Sequence, residues 1–445
     1  MERGVYKIKK VGTSIQRGIG MRKSLPVLLL LLILLNLSGC QSRKETAAAF
    51  NEFQNEISGI EVYTTEKPGE EPRQIINLVD RQLTQRFLNL LGPLPKTEPP
   101  PEDWKGKKDY LAFKYNKNGE IAVSKRYPFW HQDNAPGYLE LEDGWHQVAA
   151  EFYTKLAPLA EYTEASSDID PQDAAFLKQY GWTIFYKIKT YTGRLPDKFI
   201  HESGEYPVSL YYAYNNELSR DVGLDITPYL GKTVTVNLYK IEEPLPPFME
   251  PRRDANRAVI VKDGIKIIGA WLDAGRHDAF ACSLKGRRLE EITGKSWGEW
   301  VDQYIDHQNP QEKLISQMSP EKVIETYYEA INNNDPRTAH ATETRRRLVG
   351  YLFRNMDNNR LYNYSYATND ADEIGNITRA RIIRIQPIND PATAGRDDVK
   401  KFMVEVDLNV RRVVTYDSGR RILFFTLRRE TPTTGWRIDA IGTGP

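Results

Sequence analysis

Apolar residues in the first part of the chain recur at both helical and strand spacing. A run of them, three or four residues apart and followed by Gly92, predicts one helix through Ile76, Val79, Leu83, Phe87 and Leu90. Segments 110–115 and 121–125 alternate like strands and flank residues 116–119, Asn-Lys-Asn-Gly, which are typical of a hairpin turn. We therefore predict a helix packed on an antiparallel sheet.

The middle of the chain repeats this combination of elements. Asp170 followed by Pro171 is typical of a helix start, because the aspartate side chain can accept a hydrogen bond from a free amide. Residues 208–221 predict a tyrosine-rich helix. Strand-like segments on either side of Asp263 and Gly264 form the most specific hairpin signal in the chain. Helices on an antiparallel sheet are expected here as well.

The last part of the chain begins with helical segments and ends with long strands. Ser319 and Pro320 form a capped helix start, and Asp335 begins a second helix. In residues 402–410 apolar and polar side chains alternate, so one face of the sheet is expected to be buried and the other largely polar. Four strands are predicted, at 377–386, 401–415, 421–429 and 436–441.

These patterns divide the chain into three modules of the α+β class. We predict modules over residues 59–162, 170–307 and 318–445, each with helices packed on an antiparallel sheet. A chain of 445 residues is too long for one hydrophobic core, which also favours several domains.

A targeting signal precedes the first module. Two basic residues come before an apolar run over 25–35, and the small residues Ser38 and Gly39 stand directly before Cys40. This arrangement, a lipobox, resembles a bacterial lipoprotein signal, in which the leader is cut off and the cysteine sulfur receives a diacylglyceryl group. The resemblance implies that Cys40 holds the mature chain on the extracytoplasmic face of the cell membrane through fatty acyl chains such as palmitate.

Two other interpretations of the leader are a membrane-spanning anchor and an ordinary cleaved signal peptide with a chance cysteine. A span needs about 20 apolar residues, and the run here is roughly half that length. Residues 1–20 contain no apolar stretch of their own, so we expect Met21 to be the true start. The signal then ends at residue 40, and the polar residues 41–58 form a tether.

Charge and metal-ligand content narrow the classes of function. Seven of the 61 basic residues but one of the 60 acidic residues lie in the first 40 positions, leaving 54 basic and 59 acidic residues. This balance argues against nucleic-acid binding, which needs a clustered basic excess. Cys282 lies in an apolar run typical of a buried structural cysteine. The scattered histidines lack zinc-ligand spacing, so we predict no metal and no cofactor.

Three stretches resemble lipoprotein domains. Residues 319–331, followed by Asn334 and Asp335, are similar to the opening of the lipoprotein branch of the nuclear-transport-factor-2-like superfamily. That resemblance implies a cone-like curved sheet with N-terminal helices. Residues 176–182 and 231–234 resemble another domain of unknown function in lipoproteins of Gram-positive bacteria, and the first module is more weakly similar to a small domain of such proteins. These families have no established activity, so the resemblance implies no catalytic residues.

Ser296 is the one residue that fits a catalytic motif. Residues 294–298 match the Gly-x-Ser-x-Gly pattern, which in a hydrolase would expose the serine as a nucleophile. The same serine and Glu299 form a capping box at the start of a helix predicted over 296–305. The module also lacks the strand–helix alternation of a hydrolase sheet, so we favour the cap.

Arginines and tyrosines form candidate binding surfaces. Guanidinium groups suit phosphate or carboxylate partners, although we favour a solvated face on which they pair with Glu405, Asp407 and Glu430. Tyrosines such as those of 362–366 could stack on sugars, but half-buried core positions are more common. The arginines concerned lie at 345–347, 411–412, 420–421 and 428–429.

A pocket is expected in the third module, between its helices and the concave side of its sheet. Its candidate ligand contacts are Tyr328, Tyr351, Phe353, Phe424, Trp436 and Arg412.

The sequence as a whole predicts a non-catalytic, lipid-anchored binding or interaction protein of the cell envelope. Its partners would be the membrane, through lipid on Cys40, and an envelope protein, wall polymer or small ligand. The alternatives are an isomerase-like or hydrolase-like enzyme using the cone-like pocket, or cell-wall polymer binding through aromatic and arginine surfaces. A solute receptor of a transporter is less favoured, because two large strand–helix lobes are not visible in the pattern.

Overall fold

The computed structural model describes residues 56–67, 69–132, 135–249, 256–275, 279–355, 374–391, 395–414 and 417–444. Met21, Cys40 and the tether up to residue 55 lie outside this part of the chain. Within it, helices pack on three antiparallel sheets, which confirms the α+β class. None of the helices in these ranges is long and apolar enough to cross a membrane.

The first sheet has seven antiparallel strands. They are β1 (Ile57–Thr64), β2 (Arg73–Leu78), β3 (Lys107–Lys117), β4 (Glu120–Val123), β5 (Tyr127–Gln132), β6 (Ala135–Leu141) and β7 (Gly144–Val148). The order is β2-β1-β3-β5-β6-β7, with β4 paired to β3. Asn118 and Gly119 both have positive φ in the β3–β4 turn, which confirms that hairpin. Helices α1 (Arg81–Leu91) and α2 (Ala150–Leu156) cover one face.

The second sheet is buried on both faces. Its strands, in the order β11-β10-β9-β8, are β8 (Ile184–Arg194), β9 (Thr233–Ile241), β10 (Arg257–Asp263) and β11 (Lys266–Asp273). Helix α3 (Pro171–Lys178) packs on the face that carries Tyr239, and α4 (Val208–Arg220) on the face that carries Leu238. Asp170 caps α3 by accepting a hydrogen bond from the Gln172 amide at 2.8 Å, as predicted. Two short helices, α5 (Leu289–Thr293) and α6 (Trp297–Val301), follow the sheet.

The third sheet is preceded by four helices. These are α7 (Pro310–Ser316), α8 (Pro320–Asn332), α9 (Pro336–Ala341) and α10 (Arg345–Asn355). The strands β12 (Ile377–Ile388), β13 (Val399–Val410), β14 (Gly419–Arg429) and β15 (Trp436–Gly442) pair in chain order. Alternate residues of β13 and β14 face α8, whose start is capped by the Ser319 hydroxyl accepting from the Lys322 amide at 3.2 Å. The caps and the four strands predicted for this segment are confirmed, except that the strand expected over 401–415 ends at Val410.

Two predicted helices have different bounds in the structure. The helix after β2 begins at Arg81, because the Asp80 side chain accepts a hydrogen bond from the Leu83 amide at 2.8 Å and so fixes its first turn. Ile76 therefore belongs to β2, and Val79 is 65% exposed. The helix predicted over 296–305 ends at Val301 and continues as a 3-10 turn.

The first two sheets and α10 share one continuous hydrophobic core. Val349, Leu352 and Phe353 of α10 are fully buried in it. The Phe353 ring lies 5.1 Å from that of Tyr211 on α4, measured between centroids. Helix α8 and the third sheet form a separate core. Helix α10 thus precedes the third sheet in sequence but packs with the second.

A buried group of charges joins α7, α10 and the last strand. The carboxylate of Glu312 lies between the guanidinium groups of Arg345 and Arg437, with 2.8 Å from Glu312 Oε1 to Arg437 Nη2. All three residues are at most 2% exposed. Burial alone would raise the pKa of Glu312, but the two guanidinium groups outweigh it, so this pKa lies below its ordinary value. His201 from the second module is buried beside the same group.

We expect His201 to make the protein less stable in mild acid. Burial, together with the Arg345 guanidinium, lowers the pKa of His201 to about 3. Below the unfolded value of about 6.5 the unfolded chain binds a proton that the folded chain does not, so stability falls as pH drops through that value. The loss should reach about 2 kcal/mol at pH ~5. Urea denaturation at several pH values should show it.

The matched variant for this prediction is His201→Asn, which cannot titrate. Its free energy of unfolding should change less between pH ~7 and ~5 than that of the wild type, by about 2 kcal/mol. Parallel pH profiles for the two proteins would contradict the assignment to His201.

Candidate functional site

The residues predicted to form a pocket in the third module do not lie together. Tyr328 and Trp436 are buried in the core between α8 and the sheet, where the Tyr328 ring is 5.9 Å from that of Phe425. Phe424 neighbours Phe425 on β14 and therefore points to the opposite face of the sheet.

The other three predicted contacts lie farther away. Phe353 is in the core shared with the second sheet, because α10 turns its apolar side in that direction. Tyr351 is half-buried, with the Arg347 guanidinium 5.4 Å from its ring centre. Arg412 is exposed, and its amide donates to the Asn376 side chain at 3.1 Å. A ligand role for these six residues stays a prediction.

The third module does contain a cavity, at the turn between α8 and α9. Its volume is about 320 Å³, and its lining includes Asn332, Asp335 and Arg411. The Asn332 side chain is already occupied, since it accepts from the Ala380 amide and donates to the Ala380 carbonyl, both at 2.7 Å. None of the six predicted contacts lines this cavity.

A cavity of about 470 Å³ lies between the second and third modules, and we name it the aromatic cleft. This volume is in the range of small-molecule sites, which are typically built from apolar walls and a few placed polar groups. Its aromatic lining consists of Tyr214, Phe248, Phe280 and Trp297. Its charged lining consists of Arg288, Glu290, Glu291 and Arg346.

The aromatic floor of the cleft is held in place by packing and hydrogen bonds. The ring centroid of Phe280 lies 5.3 Å from those of both Tyr214 and Trp297, in edge-to-face arrangements. The Tyr214 hydroxyl donates to the Ala281 carbonyl at 2.9 Å. Burial raises the pKa of Tyr214, so this hydroxyl keeps its proton and its role as a donor. The floor is therefore formed before any ligand arrives.

The rim of the cleft carries charges of both signs. The Arg346 guanidinium lies 4.8 Å from the ring centre of Phe280, and the Arg288 guanidinium lies 4.1 Å from that of Phe248. Glu291 is engaged, because its carboxylate accepts from the Arg288 amide at 2.7 Å. Within the described part of the chain, no ion pair engages Arg288, Arg346 or Glu290. These three charged groups remain available to a ligand.

Glu430 positions both sides of the cleft. It lies just after β14 and is 6% exposed. Its carboxylate accepts from the amides of Arg345 and Arg346 at 2.9 and 2.7 Å, and these are amides of the first turn of α10, which have no partner within the helix. It also accepts from the Trp297 indole at 2.9 Å. One buried carboxylate thus fixes Trp297 of the second module against Arg346 of the third.

Ser296 has the capping role that the sequence favoured. Its hydroxyl accepts from the Glu299 amide at 3.4 Å, and the Glu299 carboxylate accepts from the Ser296 amide at 2.8 Å. This reciprocal pair confirms the capping box. The cap fixes the start of α6 at Trp297 and so helps to place that ring in the cleft.

Removing this cap should weaken the protein slightly. We expect Ser296→Ala to lower the free energy of unfolding by about 1 kcal/mol, because the first turn of α6 loses its side-chain acceptor. Urea denaturation measures the change. The variant Ser296→Asp keeps an acceptor and should stay close to the wild type, whereas equal losses in both variants would argue against the capping role.

The three acidic residues expected to pair with the arginine doublets of the third sheet do so only in part, since Glu405 has a doublet arginine as its partner and Asp407 and Glu430 have others. Arg420 pairs with Glu405, and Arg381 lies 3.4 Å from Asp407 across the strands. Glu430 lies 3.8 Å from Arg345. The tyrosines at 362–366 lie outside the described residues.

The first sheet carries aromatic rings on the face that α1 and α2 do not cover, and we name this group the aromatic belt. It consists of Tyr110, Trp130, Tyr138 and Trp145, all half-buried. Trp130 is paired with Tyr138 across β5 and β6, and the Trp130 and Trp145 centroids are 4.6 Å apart. These residues alternate along their strands with the fully buried side chains that face α1 and α2. Neither the belt nor the cleft was predicted from sequence.

No group of three or more metal-binding side chains occurs in the described ranges. Cys282 is fully buried, as expected for a structural cysteine. Burial raises the pKa of its thiol to about 12, so it is protonated at neutral pH.

Two protein families match parts of the chain, and both are described as a domain of unknown function. One, DUF4830, matches residues 176–272, and the other, DUF4829, matches residues 321–442. The chain is therefore a multi-domain protein. No curated protein matches it. A crystal structure of a cystatin-like protein from Ruminococcus gnavus ATCC 29149 is similar at 13% identity, covering 66% of this chain and 74% of that one, with a TM-score of 0.20. A score this low carries no argument about fold.

Proposed function

We propose that the chain is a lipid-anchored, extracytoplasmic binding protein of the cell envelope, with the aromatic cleft as its ligand site. One observation carries the binding role: the cleft combines a fixed aromatic floor with charged groups that no described residue neutralises. Surfaces of this kind are unusual away from binding sites, because even partly exposed aromatic rings such as Phe248, Phe280 and Trp297 are costly in water.

The anchoring part of this proposal rests on Cys40. Thioether-linked acyl chains would give stable attachment, since two or more chains exceed the marginal affinity of one. Fifteen residues separate this cysteine from Glu56, where the described chain begins. Fully extended, they would reach roughly 50 Å, so the first module would stay near the membrane surface.

Metabolic labelling with a fatty acid tests the anchor. The wild type should carry label and sediment with membranes, and Cys40→Ala should carry none and be released. Cys282→Ala is the matched control, because that thiol is buried and should not affect labelling. Equal labelling and equal membrane retention of wild type and Cys40→Ala would overturn the anchor.

Ligand extraction tests the cleft. The full chain is purified from its own cells, denatured, and its small-molecule extract compared by mass spectrometry with that of Trp297→Ala. A compound retained by the wild type and lost from this variant is expected. Trp145→Ala, which removes an indole from the aromatic belt, should retain it. Identical extracts from wild type and Trp297→Ala would contradict a ligand site in the cleft.

The third module is proposed to be a nuclear-transport-factor-2-like cone. Two features support this: α8 and α9 precede the four-stranded sheet, and β12 and β13 shift register between Ile382 and Arg384. A bulge of this kind bends a strand and increases its twist, which curves the sheet.

A second function, contact with a wall polysaccharide, is favoured by the aromatic belt. Indole and phenol rings offer apolar faces to sugars while their polar atoms stay in water. The full chain should co-sediment with insoluble cell wall, and Trp130→Ala should co-sediment less. Trp297→Ala should behave as the wild type. Undiminished sedimentation of Trp130→Ala would remove the belt from this role.

A further inference from the structure

The charges at the rim of the aromatic cleft narrow the chemistry of its ligand. Arg346 is the second residue of α10, and its guanidinium stacks over Phe280 at 4.8 Å and lies 5.7 Å from the Trp297 ring centre. Stacking occupies the face of the guanidinium group and leaves its N–H donors free at the edge. Those donors match a carboxylate in geometry as well as charge.

Glu290 supplies the opposite charge in the same cavity. It is exposed, lies in the first turn of α5, and has no partner among the described residues, whereas its neighbour Glu291 is used to cap that helix. An ionised carboxylate only accepts hydrogen bonds, and an ammonium group has three N–H donors, so Glu290 suits the ammonium group of a ligand. The cleft therefore offers binding partners for both signs of charge, with Arg346 and Arg288 for an anionic group and Glu290 for a cationic one.

We propose that the ligand is a zwitterion with an apolar side group, an amino acid or a short peptide. A ligand with only one charge would leave the other rim group desolvated and unpaired, which costs free energy. A neutral sugar would leave both unpaired. An apolar side group would fill the space over Phe280 and Trp297. This inference rests on the proposed function of the cleft.

Calorimetric titration of the full chain with three matched probes tests the ligand class. The dipeptide Ala-Phe carries both charges, its N-acetyl form lacks the ammonium group, and its C-terminal amide lacks the carboxylate. Ala-Phe should bind, and each blocked form should bind at least about tenfold more weakly, since one charge-assisted contact is lost.

Two variants assign the charges. Arg346→Gln should remove the difference between Ala-Phe and its amide, and Glu290→Gln should remove the difference between Ala-Phe and its N-acetyl form. Arg194→Gln and Glu329→Gln, exposed charges on other surfaces, are the matched controls and should preserve both differences. Equal affinity of all three probes for the wild type would overturn the inference.

The two levels of the proposal fail separately. If no probe binds but a compound is extracted from the wild type and lost in Trp297→Ala, the zwitterion is wrong and the cleft remains a ligand site. If no probe binds and no such compound is found, both are wrong.

Discussion

Replacing Glu312 by alanine is expected to lower the free energy of unfolding by about 4 kcal/mol. The substitution leaves the guanidinium groups of Arg345 and Arg437 buried side by side without the carboxylate between them. Burial and the nearby Arg345 lower the pKa of Arg437 to about 10, and Glu312 opposes them, so its removal would take away a stabilising partner of this buried cation. Urea or thermal denaturation of the two proteins measures the loss.

The effect of Glu312 should depend on pH in a defined direction. Its pKa is lowered in the folded protein, so its stabilising contribution is complete above the unfolded value of about 4.5. That contribution is lost as pH falls through the lower folded value. The difference between wild type and Glu312→Ala should therefore stay constant above pH ~4.5 and shrink as the pH falls from there to the folded pKa. Glu321→Ala, an exposed residue in the first turn of α8, should cost under about 1 kcal/mol. A loss from Glu312→Ala no larger than this control would contradict the role of the buried group.

The second large effect is expected at Glu430, where stability and ligand binding should be lost together. Glu430→Ala removes the acceptor of two amides at the start of α10 and of the Trp297 indole. We expect a loss of about 3 kcal/mol, from the helix cap, from the Trp297 indole left without its acceptor, and from Arg345 keeping only Glu312 of its two carboxylate partners. The cleft ligand should also be retained less, because Trp297 and Arg346 would no longer be held against each other.

Two measurements are needed for Glu430→Ala: denaturation for stability, and extraction or titration under conditions where the variant remains folded. Asp407→Ala, which breaks the exposed pair with Arg381 on the same sheet, is the control. It should cost less than about 1 kcal/mol and leave binding unchanged. Full retention of ligand by a folded Glu430→Ala protein would show that Glu430 does not position the cleft.

Local signals predicted much of the secondary structure. Asp170, Ser319 and the Asp263-Gly264 turn were identified because caps and tight turns depend on residues adjacent in sequence. The start of α1 was misplaced because Ile76 in β2 happens to continue the helical spacing of the residues after Asp80. Periodicity alone cannot separate a strand from the helix that follows it when their apolar residues fall in register.

The cleft could not be predicted because its walls come from segments that are far apart in the sequence. Tyr214, Phe280, Trp297 and Arg346 lie on different elements, and the only local signal was a helix start at Ser296.

The triplet at 345–347 shows the same limit. Successive helical residues point about 100° apart, so one arginine is buried with Glu312, one faces the cleft and one pairs with Glu343. From the sequence, the three arginines were expected to form one basic surface, but in the fold each of them has different surroundings.

Helix α10 has a consequence for how this protein can be divided. The family match at 321–442 contains α10, yet Val349, Leu352 and Phe353 complete the interior of the modules that precede it. A chain severed before that match would leave two incomplete products. The C-terminal product would expose the apolar side of α10 to water. The N-terminal product would expose the core residues that α10 covers in the full chain. The family match at 321–442 therefore does not coincide with a unit that can fold alone.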